Sequence, residues 1–293
     1  MADVLQMSTM FEPEVVEDLF TKVKGHSTLA QLSAQIPIAF TGNSIFVFSM
    51  DDEVNLVAEG GKKSAGKLKA EPVKVAPLKV EYGARVSDEF VYASEEKKLD
   101  ILTAFNDGYS KKVARGLDIM AMHGINPRDK QVSSLIGTNS FDTATGVTKV
   151  DYVAGTEEAV LETAALAIGE YDVTGFALSK NFGSELAKIK VNGVPQYPEF
   201  RFGASPAALG GTACNVNSTV SYANNAAGYV GDFASAFKWG FAKEIPLEII
   251  PYGDPDQSGK DLKAYNQVYL RAETYIGWGI LDPTAFARII KKG

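Results

Sequence analysis

The chain has 293 residues, of which 45% are hydrophobic and 22% charged, with a net charge of −7. This composition is ordinary for a globular protein, and the acidic balance argues against a dedicated nucleic-acid binder. A single cysteine, Cys214, excludes an internal disulfide framework and a cysteine-based zinc site. No apolar run approaches the roughly 20 residues of a membrane span, and no secretion signal is evident, so we expect no membrane partner and a reducing compartment.

The N-terminal part predicts an arm followed by strands. Residues 1–35 are mixed, and the apolar spacing of FEPEVVEDLF (11–20) is compatible with a short helix. Residues 36–50 predict two strands split at 41–43.

A lysine-rich stretch, AEGGKKSAGKLK (58–69), lies between two further predicted strands at 54–59 and 73–82. Pro77 suggests an edge position or a bulge in the second of them. The pattern favours a projecting hairpin with a basic tip. Because an isolated two-stranded hairpin is marginal in water, it needs a surface on its own domain or on a neighbour.

The tip also falls one residue short of a phosphate-binding loop. Gly61 to Lys67 matches G-x-x-x-x-G-K, but Leu68 replaces the serine or threonine that binds magnesium. Pro72 follows closely and disfavours the helix that such a loop requires. A flexible basic loop is the favoured interpretation, with a nucleotide site as the alternative.

The strongest helix signal begins after Ser94, a plausible N-cap, and ends at His123-Gly124. It predicts a structural spine, with one apolar stripe formed by Leu99, Leu102, Phe105, Tyr109, Val113, Leu117 and Met120.

The C-terminal half mixes helices and strands without β-α alternation, which favours an α+β fold. A helix is predicted at 157–168, a strand at 175–179 and a short helix at 181–190. Residues 228–253 predict strands joined by turns, and 264–281 a pair of alternating strands.

Candidate chemical sites are weak. Asp254 and Asp256 begin a calcium-hand-like run, but Tyr265 stands where a glutamate is needed, so a solvated turn is favoured. His26 and His123 have no metal-ligand spacing, and His123 fits a helix-terminal role. We expect no catalytic residue, no cofactor and no metal, and therefore no enzyme.

The order of elements resembles that of tailed-phage major capsid proteins with the Hong Kong 97-type fold. The stretches that carry the resemblance are EGGKK (59–63), VSDEF (86–90), LDIMAMHGIN (117–126), the segment 231–254 and the segment 266–289. Together they cover nearly the whole chain.

The resemblance implies an N-terminal arm (1–35), an E-loop hairpin (51–90), an axial domain (135–230) and a discontinuous peripheral domain. The peripheral domain would comprise 36–50, 91–134 and 231–293, including the spine helix.

The resemblance also implies a structural protein of the virion capsid, assembled in the host cytoplasm. Its copies would form pentamers and hexamers and close into an icosahedral shell around double-stranded DNA, without sequence-specific binding. The expected intersubunit contacts are Glu59, Lys62, Lys63, Lys67 and Lys69 at the hairpin tip, and Phe11, Val15, Val16, Leu19 and Phe20 in the arm.

Two family features are expected to be missing here. The arm leaves no room for a cleaved scaffolding segment, so a separate scaffold protein, together with a portal, is the hypothesis. No acid and asparagine identify a lysine cross-link, so non-covalent assembly is predicted. An encapsulin-like compartment that encloses enzymes remains the main alternative.

Overall fold

The computed structural model describes residues 26–50, 54–62, 65, 68–89 and 95–292. Helices and strands follow one another irregularly, which is the α+β arrangement predicted. The helices are α1 (Thr28–Leu32), α2 (Glu95–His123), α3 (Glu157–Ala167), α4 (Lys180–Leu186) and α5 (Phe233–Ala236). The strands are β1 (Asn43–Met50), β2 (Leu68–Val75), β3 (Leu78–Ser87), β4 (Thr148–Tyr152), β5 (Gly175–Ser179), β6 (Lys190–Val191), β7 (Val194–Pro195), β8 (Ala208–Leu209), β9 (Thr212–Asn217), β10 (Ala226–Gly231), β11 (Phe237–Ile250), β12 (Gln267–Ile280) and β13 (Phe286–Lys291).

The spine helix α2 confirms the strongest sequence prediction. It has 29 residues, or about 43 Å at 1.5 Å per residue. Its stripe is buried over most of its length, with Tyr109, Val113 and Leu117 at most 5% exposed. The helix ends at His123, and Gly124 follows with φ +69°, which suits glycine after a helix C-terminus. Ser94, the predicted cap, lies outside the described residues.

A three-stranded antiparallel sheet in the order β11-β12-β3 packs against the spine helix. The prediction of a strand pair at 264–281 is wrong, because β12 is one continuous strand of 14 residues. It stays continuous because β11 and β3 flank it with ladder hydrogen bonds on both sides. Trp239 and Trp278 pair across the ladder and are buried at the centre of this first core.

A six-stranded mixed sheet in the order β4-β13-β10-β5-β9-β8 forms the other half of the molecule. Helices α3 and α4 cover it and complete a second apolar core around Phe182 and Phe200. The predicted strand β5 is confirmed, and the two predicted helices are confirmed within a few residues. Four other strands of this sheet, β4, β8, β9 and β13, were not predicted.

The projecting hairpin is built from different strands than the sequence predicted. β1 pairs antiparallel with β2 from Asn43↔Val75 to Met50↔Leu68. Residues 36–42 and 54–59 form no strand, and the predicted strand 73–82 is divided between β2 and β3. The division falls at Pro77, which has no backbone N–H for a ladder, so the chain leaves β2 there and enters β3 beside β12.

Candidate functional site

Among the described residues, the hairpin of β1 and β2 is held to the rest of the chain at its base. Val75 is fully buried there, and it packs so closely on Gly279 that a Cβ on that glycine would lie 2.7 Å from the valine side chain. Farther out, Phe46 is 60% exposed. Within the described strands, β1 pairs with β2 alone, and a free two-stranded sheet is marginal in water. The outer hairpin therefore lacks the covering surface that such a sheet needs.

The connection after β1 exposes two aliphatic side chains almost completely. Val54 is 97% exposed and Leu56 is 98% exposed. The sequence reading missed them as contact residues because it placed them in a strand. The sequence did contain an indication of this. Two apolar residues lie two positions apart in a segment that has no partner strand, and exposed apolar residues of this kind can mark a contact surface.

The predicted contact residues are only partly described. Glu59 and Lys62 lie exposed in the connection, as expected for a tip. Lys69 lies on β2 opposite Ser49, at the outer end of the ladder. Lys63 and Lys67, like the arm residues Phe11, Val15, Val16, Leu19 and Phe20, lie outside the described residues, so their contacts stay predictions.

The glycines of the phosphate-loop candidate make a tight turn instead. The Gly61 amide donates to the Ala58 carbonyl at 2.8 Å, and Gly60 has φ +78°. A phosphate loop must lead into a helix whose N-terminus faces the phosphates. Here Leu68 begins the strand β2, so the motif lacks the element that its chemistry requires.

Asp118 anchors the start of the described chain to the spine helix. Its carboxylate is fully buried and accepts from the Ser27 hydroxyl at 2.6 Å and the Thr28 amide at 2.9 Å. It also accepts from the Leu29 amide at 3.1 Å and the Thr219 hydroxyl at 2.9 Å. Burial raises the pKa of the Asp118 carboxyl, although these four hydrogen bonds oppose the shift. The carboxylate thus supplements the N-cap that Ser27 provides to α1.

His123 does more than cap the spine helix. Its ring is buried, with Nε2 2.9 Å from the Thr219 carbonyl and Nδ1 2.8 Å from an Asp142 oxygen. A carbonyl only accepts, so Nε2 carries a hydrogen. The Tyr229 hydroxyl donates to the same carboxylate at 2.9 Å, and Arg288 lies 3.3 Å away. This Asp142 cluster ties the end of the spine helix to β10 and β13.

The Asp142 carboxylate is ionised at neutral pH. Burial favours its neutral form, but the hydrogen bond and charge of His123, the Tyr229 hydroxyl and the charge of Arg288 outweigh burial and lower the pKa of Asp142. The cluster thus joins the His123 ring, the Tyr229 hydroxyl and the Arg288 guanidinium at one buried carboxylate.

The calcium-like turn holds a guanidinium group. Arg85 on β3 donates to Asp254 at 2.7 Å and to Asp256 at 2.9 Å, and these bonds lower the pKa of Asp256. Asp254 also accepts the Ser258 and Gly259 amides, which closes the turn. The acids that suggested a calcium site thus fix the β11–β12 connection to β3.

Other chemical features are sparse. Burial raises the pKa of the Cys214 thiol to about 12, so this cysteine is inert. In the part of the chain that the structure covers, no cluster of three or more His, Cys, Asp or Glu residues could hold a metal ion. No described helix combines the length and the apolar character needed to cross a membrane.

Comparison with known proteins identifies the architecture. The profile of the phage capsid family matches residues 9–290. A protein of Mycobacterium phage Ogopogo is 30% identical with a TM-score of 0.77, and the match covers 91% of this chain and 92% of that one. A protein of Gordonia phage Cozz is 24% identical with a TM-score of 0.73, covering 92% and 87%. No curated protein matches the sequence significantly.

A more distant structure, described as the capsid of an empty GTA particle computed with C5 symmetry, has a TM-score of 0.63 at 17% identity, covering 92% of this chain and 90% of that one. Its likeness concerns the fold alone. The family match spans nearly the whole chain and agrees with the hairpin, spine helix and two sheets described above. The chain therefore belongs to the phage capsid family, as a tailed-phage major capsid protein with the Hong Kong 97-type fold.

Proposed function

We propose that copies of this chain assemble through pentamers and hexamers into an icosahedral shell that encloses double-stranded DNA. The observation that carries the proposal is the projecting hairpin, whose outer strands and apolar connection find no cover among the described residues. A neighbouring subunit would supply that cover. Many modest contacts of this kind suffice in a closed shell, because multivalency multiplies their effect.

The basic tip has a suitable target on a second copy. Lys62, Lys63, Lys67 and Lys69 belong to a chain whose net charge is −7, so the remaining surface is acidic on balance. Glu59 would face the basic residues of the same neighbouring surface. The N-terminal arm, with Phe11, Val15, Val16, Leu19 and Phe20, would make a second intersubunit contact. Both contacts are non-covalent in this proposal.

The two cores agree with the domain assignment in part. β1 (Asn43–Met50) belongs to the hairpin instead of the peripheral segment 36–50, β3 (Leu78–Ser87) leaves the hairpin for the three-stranded sheet, and β13 (Phe286–Lys291), from the segment 231–293, lies in the six-stranded sheet. The first core joins the spine helix to the three-stranded sheet, and it would be the peripheral domain. The second core lies between α3, α4 and the six-stranded sheet, and it would be the axial domain around the capsomer axis. The role is structural, without catalysis. A separate scaffold protein and a portal would direct assembly in the host cytoplasm.

Negative-stain electron microscopy of the purified full chain tests the proposal. We expect rings, tubes or closed shells, and uniform shells of one size only when a scaffold protein is co-expressed. Uniform shells from the chain alone would refute the separate scaffold, and isolated monomers at every concentration would refute the shell itself. Ladders of subunits on a denaturing gel of particles would refute non-covalent assembly.

A further inference from the structure

A groove runs along the spine helix on the side away from the chain's N-terminal anchor. It has a volume of about 620 Å³ and lies between β3, the helix and the loop that follows the helix. Its floor is apolar, with Tyr109, Val113 and Met120 on the helix and Ile136 from the loop. At its rim Leu135 is 79% exposed. A floor of this kind fits apolar side chains of a peptide better than a sugar-phosphate backbone.

Several cations at this groove form no ion pair with a carboxylate that the structure describes. Lys112, Arg115 and Arg128 line it, and Lys130 joins them through Tyr222, whose ring lies 4.9 Å from the Arg115 guanidinium and 5.4 Å from the Lys130 ammonium. None of these four forms an ion pair with a described carboxylate. The lining also contains one acidic residue, Glu81, which forms no ion pair with any of these four cations.

The chain contains a segment of matching character outside the described residues. FEPEVVEDLF (11–20) has four acidic residues, no basic residue and five large apolar ones. An apolar strip flanked by carboxylates is the complement of an apolar floor flanked by cations.

We propose that this groove receives the acidic segment 11–20 of a second copy of the chain. The inference rests on the proposed shell, since it names the surface that the N-terminal arm of a neighbour would contact. The position at which the described chain begins favours a segment 11–20 from a second copy over the same segment of the same chain. α1 is fixed to Asp118, and that residue lies on the helix side opposite Tyr109, Gly116 and Met120, which face the groove.

Zero-length carbodiimide cross-linking of the full chain tests this directly. Protein labelled with nitrogen-15 is mixed with unlabelled protein before assembly, and linked peptides are read by mass spectrometry. We expect amide links between Glu14 or Glu17 and Lys112 or Lys130 in which the two peptides carry different isotopes. If both linked peptides always carried the same isotope, the arm would contact its own chain. If no such links formed, the arm would not bind the groove. Either result overturns the inference.

Charge-reversal variants test the same contact through particle assembly. The variant K112E/R128E/K130E should lower the yield of assembled particles about tenfold, since each cation would become a repelling charge. Adding E12K/E14K/E17K should restore most of the yield. The matched control K180E/K190E/K263E, with the same charge change outside the groove, should assemble normally. The proposal is contradicted if the combined variant does not recover particle yield, or if the control loses as much yield as the groove variant.

Two further readouts separate the alternatives. If a short double-stranded DNA binds the wild type and loses affinity in the groove variant, nucleic acid rather than the arm occupies the groove. If wild-type protein forms no particles while cross-links of mixed isotopes appear in small oligomers, the shell is refuted and the groove contact stands. If particles form without these cross-links, only the groove contact fails.

Discussion

Replacing Asp118 with alanine removes the acceptor that holds the first described helix against the spine. Thr28 and Leu29 present backbone amides that cannot turn away, whereas the hydroxyls of Ser27 and Thr219 can rotate toward other acceptors. The damage should therefore concentrate on the two amides at the start of α1.

The magnitude follows from those two amides. Each buried donor without a partner costs about 1–3 kcal/mol. The loss is reduced because a buried carboxylate is itself costly, which is why burial raises its pKa. We expect D118A to lower the free energy of unfolding by about 3 kcal/mol. D118N keeps one accepting oxygen in the same volume, so it should cost about half as much.

Urea unfolding of the soluble subunit, followed by tryptophan fluorescence, measures the effect. Trp239 and Trp278 are both buried in the first core and report its loss. D151A is the matched control, because Asp151 is an exposed carboxylate in a surface ion pair with Lys149, and it should change stability by less than about 0.5 kcal/mol. Hydrogen exchange of the Leu29 amide should accelerate about 100-fold in D118A.

One result would refute this reasoning. If the urea midpoints of D118A and D151A coincide at equal slopes, the four hydrogen bonds contribute nothing net. If D118A loses global stability while Leu29 stays protected, the effect does not act through α1.

Three further predictions concern other parts of the molecule. Because the pKa of Asp142 is lowered, its contribution to stability is complete above the ordinary carboxyl value of about 3.9 and is lost as the pH falls through the lowered value. The D142N variant should thus be less stable than wild type at neutral pH and converge with it in acid, in urea midpoints measured across that range; parallel curves would contradict the assignment. Cys214, with its thiol pKa raised to about 12, should not react with a disulfide reagent at about pH 8 until the protein unfolds, and rapid labelling of the native protein would show that the site opens. The variant K62E/K63E/K67E should fold, by its circular dichroism and thermal transition, yet assemble poorly, whereas K180E/K190E/K263E should assemble; normal shells from the tip variant would remove the role of the tip.

Long periodic elements were predictable because their evidence is local. The stripe from Leu102 to Met120 repeats at helical spacing over many turns, so one sequence segment contains enough information to define the spine helix. The strand GFALS and the break at Pro77 were also visible, since each rests on the properties of a few adjacent residues.

Strand partners were not predictable, because pairing depends on residues far apart in the chain. VNLVAE has the alternation of a strand but no strand beside it, while β1 and β2 pair across 17 intervening residues. β12 was expected to turn back, yet two flanking strands keep it straight.

The sequence by itself determined the α+β class, the spine helix and, through the order of its segments, the capsid family. Only the tertiary structure decided which polar side chains fix distant segments to one another. His123 and Asp142 are 19 positions apart. Asp118 accepts a hydrogen bond from the Thr28 amide, 90 positions away, and Arg85 donates to Asp254, 169 positions farther on. Each of these contacts requires a facing partner, which is in place only once distant segments have packed together.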